Sequence, residues 1–168
     1  MRQFRQLFLL AILALTVFAC SKDDDPAPKT KADVLAAHSW RITGLTVNPP
    51  LPFENDDETT TAISDLYNQY FGACVRDDIF NFRSDGTYTV EDVGTSCNGD
   101  KIRTYGSWIM SSDETAVVLT GGGLVSYLTQ DVENWNITAL NDDTLTATTM
   151  IYTESTAYTV TYTFTVVK

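Results

Sequence analysis

The sequence predicts an all-β domain, an antiparallel barrel or sandwich of about eight or nine short strands. The clearest observation lies in the last run of the chain, where large apolar residues alternate with threonines: Tyr158, Val160, Tyr162, Phe164 and Val166. Turn residues recur at hairpin spacing along the rest of the domain. The aromatic content of 11% and the abundance of threonine favour strands over helices or disorder. A chain of 168 residues has the size of one domain.

Residues 1–19 have the pattern of a signal peptide. Arg2 and Arg5 precede an uncharged apolar run over residues 7–18. This run is shorter than the roughly 20 residues that a transmembrane helix needs, and it fits the apolar region of a signal peptide. A single membrane-anchor helix is the alternative.

Residues 17–20, Val-Phe-Ala-Cys, resemble the lipobox of bacterial lipoproteins. The resemblance implies that Cys20 becomes a lipidated N-terminus carrying diacylglycerol and palmitate. Several acyl chains anchor stably, since each buried CH₂ contributes about 0.8 kcal/mol. Residues 21–25, Ser-Lys-Asp-Asp-Asp, look like the export signal that sends lipoproteins to the outer face of some Gram-negative outer membranes. We therefore expect residues 20–31 to be a lipidated tether and the protein to be exposed at the cell surface.

The folded domain is expected over residues 32–168, beginning with a helical turn at 32–37 and a strand at 39–47. In that strand Trp40 and Ile42 alternate with polar neighbours. The Asn-Pro-Pro-Leu-Pro run at 48–52 is expected to end it, because proline cannot donate to a ladder.

Residues 48–73 form the longest segment without strand character. An amphipathic helix is predicted over 59–71, because Ile63, Leu66, Tyr67 and Tyr70 fall at i, i+3, i+4 and i+7. A long loop with a short helix is typical of a lid or binding loop. A helix that plugs one end of the core is an equally good interpretation.

A hairpin is predicted around Gly86, which is free to take the positive φ of a tight turn. Phe80 and Phe82 share one face of the first arm, and Tyr88 and Val90 share the matching face of the second. Further strands are predicted at 101–110, 116–120, 124–128, 132–140, 144–152 and 158–166. Barrel closure would remove the exposed edges of such threonine-rich strands.

Several short motifs together resemble the lipocalin-like domain of bacterial outer-membrane lipoproteins. They are residues 35–40 opening the first strand, residues 74–78 leading into Phe80 and Phe82, the Asp-Gly-Thr-Tyr at 85–88, Gly106-x-Trp108, Leu145, and Tyr162-x-Phe164 in the closing strands. The resemblance spans residues 32–168. It implies an up-and-down β-barrel with a cup and, by extension, a small apolar ligand, which is an inference from fold alone.

Eight aromatic residues are predicted to turn inward. They either fill the core or line a ligand cup, and small barrels are usually filled by side chains. If a ligand is bound, this aromatic wall is the expected contact surface. The residues are Trp40, Phe80, Phe82, Tyr88, Trp108, Trp135, Tyr162 and Phe164.

Cys74 and Cys97 remain once Cys20 is assigned to lipid, and an oxidising compartment favours a disulfide between them. Closing a loop of roughly 23 residues would contribute about 3 kcal/mol in the chain-entropy model. A catalytic thiol would need a nearby base, and His38 is the only histidine of the chain.

The charge argues against nucleic acid as a partner. The formal net charge is −11, and removal of the leader's two arginines would make it −13, which repels phosphate backbones. The pair Asp77-Asp78 is expected to cap a backbone or to meet Arg76 or Arg83, because neighbours on a strand point to opposite faces. No metal site, cofactor or catalytic residue is predicted.

Together these patterns predict a binding module that is not an enzyme. A small hydrophobic or amphipathic molecule would enter the barrel mouth beneath residues 48–73. The alternative is a structural or interaction module with a filled barrel, whose loops contact another envelope protein or a glycan.

Overall fold

Antiparallel β-structure dominates the computed structural model, which describes residues 29–54, 59–69, 71–95, 99, 102–121, 132–153 and 156–168. Within these residues there are nine strands and three short helices. The strands are β1 (Ser39–Glu54), β2 (Thr60–Asp65), β3 (Ile79–Phe82), β4 (Thr87–Glu91), β5 (Ile102–Met110), β6 (Ala116–Thr120), β7 (Val132–Leu140), β8 (Thr144–Thr153) and β9 (Thr156–Val166). The helices are α1 (Lys31–Ala37), α2 (Leu66–Gln69) and α3 (Ala73–Arg76).

The sheet closes on itself. Its order is β2-β1-β3-β4-β5-β6-β7-β8-β9, and β1 also pairs with β9. Eight antiparallel strands therefore form a closed up-and-down barrel, and β2 adds to the far part of β1 as an extra strand. The predicted fold class is confirmed.

Alternation along the strands sets which residues enter the barrel. In β9 the buried positions are the large apolar residues between the threonines, and their neighbours on β8 and β1 are buried as well. Residues that face one way in a strand recur at every second position. The register of β9 with β8 and β1 therefore places all of its large apolar side chains on the same, inward face.

Two glycines shape the β3–β4–β5 region. Gly86 has a φ of +83° in the predicted hairpin turn, a backbone conformation that glycine adopts without steric cost. Gly106 has a φ of +152° beside a register shift between β4 and β5. A Cβ at this position would overlap the Thr120 carbonyl oxygen on β6. Gly106 therefore allows a bulged, close-packed corner.

The two ends of the barrel have different connections. At the end that we call the short-turn end, turns at residues 83–86, 111–115 and 141–143 join successive strands, and α1 packs there. At the opposite end, the long-loop end, the segments that precede β3, β5 and β7 run over 10 to 13 residues. Only residues 154–155 join β8 to β9 there.

Helix α1 confirms the helical turn predicted at 32–37. Thr30 and Asp33 form a capping box: the Thr30 hydroxyl accepts a hydrogen bond from the Asp33 N–H at 3.0 Å, and Asp33 accepts one from the Thr30 N–H at 2.9 Å. Leu35 is the fully buried residue of this helix, and its carbonyl accepts a hydrogen bond from the Trp40 indole at 2.9 Å. The helix thus covers the short-turn end of the core.

The segment over 48–73 differs from its prediction. Strand β1 continues through the prolines to Glu54. The prolines lie beyond Asn48, the last residue of β1 that pairs with β9. On the other side of β1, the pairing with β2 has a register shift between Thr46 and Leu51, where the prolines at 49 and 50 need not donate hydrogen bonds. A missing N–H donor costs little where the ladder is irregular. The helix predicted over 59–71 is wrong for its first half.

Residues 60–65 instead form β2, which pairs with the end of β1 and buries Ile63. Only α2 is helical in the predicted range, and it buries Leu66. Strand β2 supplies hydrogen-bond partners to the end of β1. This pairing outweighs the helical pattern of four apolar residues. The weak strand predicted at 124–128 lies outside the described residues.

Candidate functional site

The eight aromatic residues predicted to turn inward all lie in the buried core, each at most 9% exposed. Their inward placement is confirmed. Seven of them form one connected network of ring contacts, which we call the aromatic cluster: Phe80, Phe82, Tyr88, Trp108, Trp135, Tyr162 and Phe164. The eighth, Trp40, meets the His38 ring edge-on at 5.9 Å.

Trp135 lies at the centre of the aromatic cluster. Its ring centroid is 4.9 Å from that of Tyr162, 5.4 Å from that of Phe164 and 6.3 Å from that of Phe82. Such pairs contribute about 0.5–1.5 kcal/mol each beyond the area that they bury. The rings of the aromatic cluster therefore pack against one another at this level of the barrel.

The indole N–H groups of the three tryptophans are satisfied unequally. Trp40 donates to the Leu35 carbonyl, and Trp108 donates to the Arg83 carbonyl at 2.9 Å. The Trp135 N–H is fully buried and has no hydrogen-bond acceptor among the described residues. A buried donor without an acceptor costs about 1–3 kcal/mol. The Trp135 N–H is such a donor inside the barrel.

Glu133 lies on the same inward face of β7 as Trp135, so its side chain enters the barrel interior. Its side chain is 2% exposed, and its Oε1 accepts a hydrogen bond from the Tyr162 hydroxyl. Cross-strand pairing sets it beside buried Leu119. We call Glu133, Tyr162 and the Trp135 N–H the mid-barrel polar set; Glu133 lies two residues nearer the long-loop end than Trp135.

Sequence reasoning missed Glu133, although a signal was present. Trp135 and Ile137 mark the inward face of β7, and the same alternation taken one step back places Glu133 inward. A glutamate at a strand start usually lies on a solvated face, which is why composition alone did not single it out.

Acidic residues also lie at the long-loop end. Asp77 caps a backbone group as expected, since its Oδ2 accepts a hydrogen bond from the Thr95 N–H at 2.9 Å. Asp78 and Asp92 are buried. Arg76 donates to two backbone carbonyls, of Phe71 at 2.8 Å and Asn68 at 2.9 Å, and its guanidinium lies 5.1 Å from the centre of the Tyr67 ring. Arg76 therefore holds the α2–α3 segment together.

An open groove of about 560 Å³ lies at the short-turn end, lined by residues 36–39 and 81–85. His38 Nε2 lies 3.1 Å from Asp142 Oδ1. That hydrogen bond, with the nearby charge of Lys29, holds the pKa of Asp142 below its usual value. The Ser39 hydroxyl donates to the Asn81 amide oxygen at 2.6 Å. His38 and Ser39 are thus engaged with other partners and do not form a nucleophile–base pair.

The predicted lipidation site Cys20 and one predicted disulfide partner, Cys97, lie outside the described residues. Within the described ranges, no group of three or more His, Cys, Asp or Glu residues is placed to hold a metal ion. No helix in the described part of the chain has the length and apolar character needed to cross a membrane.

Fold and site together define a small closed antiparallel β-barrel with a tightly packed aromatic cluster and a buried polar set beside it. Residues 18–168 match the family described as Domain of unknown function (DUF5004), and the chain belongs to this family. No curated protein matches the sequence.

Proposed function

We propose that the protein is a lipid-anchored envelope lipoprotein whose barrel binds a small hydrophobic or amphipathic molecule without catalysing a reaction. The observation that carries the binding proposal is the mid-barrel polar set. A closed barrel with an apolar interior is compatible with a ligand of mostly apolar surface. The likeness of its motifs to lipocalin-like domains supports the same function by analogy of fold.

The polar set gives such a ligand a polar contact. Burying a carboxylate costs several kcal/mol unless other groups compensate, and an apolar residue of similar size is often more stable in a core. The Trp135 N–H has no acceptor among the described residues, and Glu133 lies two residues from it on the same inward face of β7. A bound molecule with a polar group would find a hydrogen-bond donor and a carboxyl group there.

The test is native mass spectrometry of the protein purified from its own membrane. We expect one retained small molecule on the wild-type chain. Glu133→Gln should lower the retained fraction, because one lost charge-assisted hydrogen bond weakens binding by roughly 10- to 100-fold. Glu91→Gln, on the outward-facing side of β4, is the matched control and should retain the molecule. A wild-type protein that carries no small molecule would contradict the proposal.

The anchor is proposed at Cys20, with the protein held in the outer membrane of a Gram-negative bacterium and exposed at the cell surface. Cys20→Ser should move the protein into soluble fractions, and continued membrane retention would contradict the anchor. A disulfide between Cys74 and Cys97 is part of the same proposal. Alkylation without a reductant should leave both thiols unmodified.

A second candidate function is supported by the outer surface. Three large apolar side chains on β7 and β8 near the long-loop end are 51–69% exposed: Val132, Met150 and Tyr152. Exposed apolar groups on a barrel wall are typical of a contact with another protein or with a glycan. A photo-crosslinking residue at 152 on intact cells should give an adduct of one defined mass, whereas the same residue at exposed Thr43 on β1 should give none. Equal crosslinking at both positions would exclude this surface.

A further inference from the structure

The charged side chains of the described residues are divided unequally between the two ends of the barrel. The short-turn end has five cations against six acids, a formal charge of −1: Lys29, Lys31, Arg41, Arg83 and Lys168 against Asp33, Asp85, Asp113, Glu114, Asp142 and Asp143. At the long-loop end, leaving aside residues 102–105 and the buried Asp78 and Asp92, one cation stands against four acids, a formal charge of −3: Arg76 against Glu54, Asp65, Asp77 and Glu91.

Two of the acids at the short-turn end lie close to lysines already counted at that end. Lys29 Nζ lies 3.8 Å from Asp142 Oδ1, and Lys168 Nζ lies 3.0 Å from Asp143 Oδ1. Arg83 is exposed on the rim of the groove at this end. By formal charge the short-turn end is therefore nearly neutral, and the long-loop end is the more acidic of the two.

The N-terminal segment joins the barrel at the short-turn end. Lys31 is fixed to the β5–β6 turn, because its backbone N–H donates to Glu114 Oε2 at 3.3 Å and its Nζ donates to the Glu114 carbonyl at 2.9 Å. Lys29, two residues earlier, meets Asp142 on the β7–β8 turn. A membrane anchor on the residues before Lys29 would therefore hold the barrel by its short-turn end.

We infer that the short-turn end is the face turned towards the membrane, against the phosphate-bearing headgroups of the bilayer. This inference rests on the proposed anchor at Cys20. Cys20 and Lys29 are nine residues apart, a reach of roughly 30 Å at most. The 11 residues of β9, tilted as barrel strands are, span a height of roughly 28 Å. The tether alone keeps the short-turn end close to the bilayer but leaves the barrel able to tip over.

Electrostatics selects among the orientations that the tether allows. A headgroup surface that carries phosphates has a negative potential that extends over about a Debye length. The acidic long-loop end is repelled by such a surface, whereas the near-neutral short-turn end with Arg83 and Lys168 is not. The long-loop end therefore points away from the bilayer, and a ligand of the barrel exchanges with the aqueous side.

The test uses the full-length protein in its own membrane. Each of two variants has one added cysteine at an exposed position, and the native cysteines are kept. Ser112→Cys lies in the β5–β6 turn at the short-turn end, and Gln69→Cys lies in α2 at the long-loop end. Labelling by a bulky water-soluble maleimide is compared for each variant before and after solubilisation in detergent. The unsubstituted protein gives the background labelling of the native cysteines.

We expect solubilisation to raise the labelling rate at position 112 several-fold and to leave the rate at position 69 unchanged. Lys168→Glu and high salt should each reduce the protection at position 112. Equal protection at both positions, or protection at 69 alone, would overturn the orientation while the anchor stands. If Cys20→Ser leaves the protein on the membrane, the anchor is wrong and the orientation falls with it.

Discussion

The short-turn end and the long-loop end of the barrel are built from the same strands but differ in connection length and in buried polarity. At the short-turn end, turns of three to five residues and α1 enclose the core, and the indoles of Trp40 and Trp108 both find backbone acceptors. Towards the long-loop end, where the connections run over 10 to 13 residues, Glu133, Asp78 and Asp92 are buried. We therefore propose that the short-turn half of the molecule supplies stability and that the long-loop half serves recognition.

The largest effect is expected from Trp135→Ala, which tests whether the aromatic cluster holds the stable half together. The central ring loses contacts with three neighbours, so the free energy of unfolding should fall by about 3–5 kcal/mol. Urea denaturation of the purified barrel measures this. Asn134→Ala, on the solvent face of the same strand, is the control and should change stability by less than about 0.5 kcal/mol. A loss below about 1 kcal/mol for Trp135→Ala would show that the interior is not filled at this level.

Gly106→Ala is expected to rank second, and it tests the bulged corner between β4, β5 and β6. The added Cβ meets the Thr120 carbonyl at a φ that side chains rarely adopt, and the strain should cost about 2–3 kcal/mol. Gly44→Ala in β1 is a suitable control. A Cβ there would meet Thr163 only at 3.4 Å, and no positive φ is involved. Equal losses for the two variants in thermal unfolding would argue against a special role for the corner.

Tyr162→Phe tests the contribution of the Glu133–Tyr162 hydrogen bond, which lies between the short-turn half and the long-loop half of the barrel. It removes the hydroxyl that donates to buried Glu133, and loss of a hydrogen bond to a buried charged group should cost about 1.5–3 kcal/mol. Tyr158→Phe, four residues away on the same inward face of β9, removes a hydroxyl without this contact and should cost much less. If the two variants have the same stability, the Glu133–Tyr162 contact does not contribute.

The smallest effect is expected at an exposed turn of the short-turn end. Hydrogen bonds from Ser111 and Thr115 lower the pKa of Asp113 to about 2, from an ordinary value of 3.8. Because the folded-state pKa is the lower one, ionised Asp113 stabilises the fold above pH 3.8, and this contribution is lost as the pH falls through about 2. An NMR titration of the Asp113 carboxyl should show a midpoint near 2 that rises in Ser111→Ala. A midpoint near 4 in the wild type would contradict the turn geometry.

Much of the barrel could be predicted from sequence because its strands obey one simple period. β6 and β7 begin and end where the pattern places them, and the hairpin turns at Gly86 as expected. The strand at 60–65 could not be predicted, because Ile63 is its one buried residue, and a single apolar position does not define a period of two. Its pairing with the end of β1 decides its conformation. Closure of the sheet, rather than a sandwich, depends on the β1–β9 pairing and is likewise invisible in any single strand.

The candidate site was predicted less completely than the fold. The aromatic residues were placed correctly because large apolar side chains are reliable markers of an inward face. Glu133 was missed, since a glutamate is buried only where tertiary contacts hold it, and its partner Tyr162 is 29 residues away in sequence. The unused donor of Trp135 could not be foreseen at all, because hydrogen-bond accounting needs the positions of every neighbouring acceptor.

The indole N–H signals of the three tryptophans offer the most direct measurement of the central claim, that the polar set beside the aromatic cluster contacts a bound molecule. NMR spectra are compared for protein purified from its membrane and for the same protein after an apolar resin has removed bound small molecules. We expect the Trp135 indole signal to shift on removal, whereas the signals of Trp40 and Trp108, held by backbone carbonyls, stay in place. If all three signals are unchanged, no molecule contacts the polar set, and the binding function is wrong.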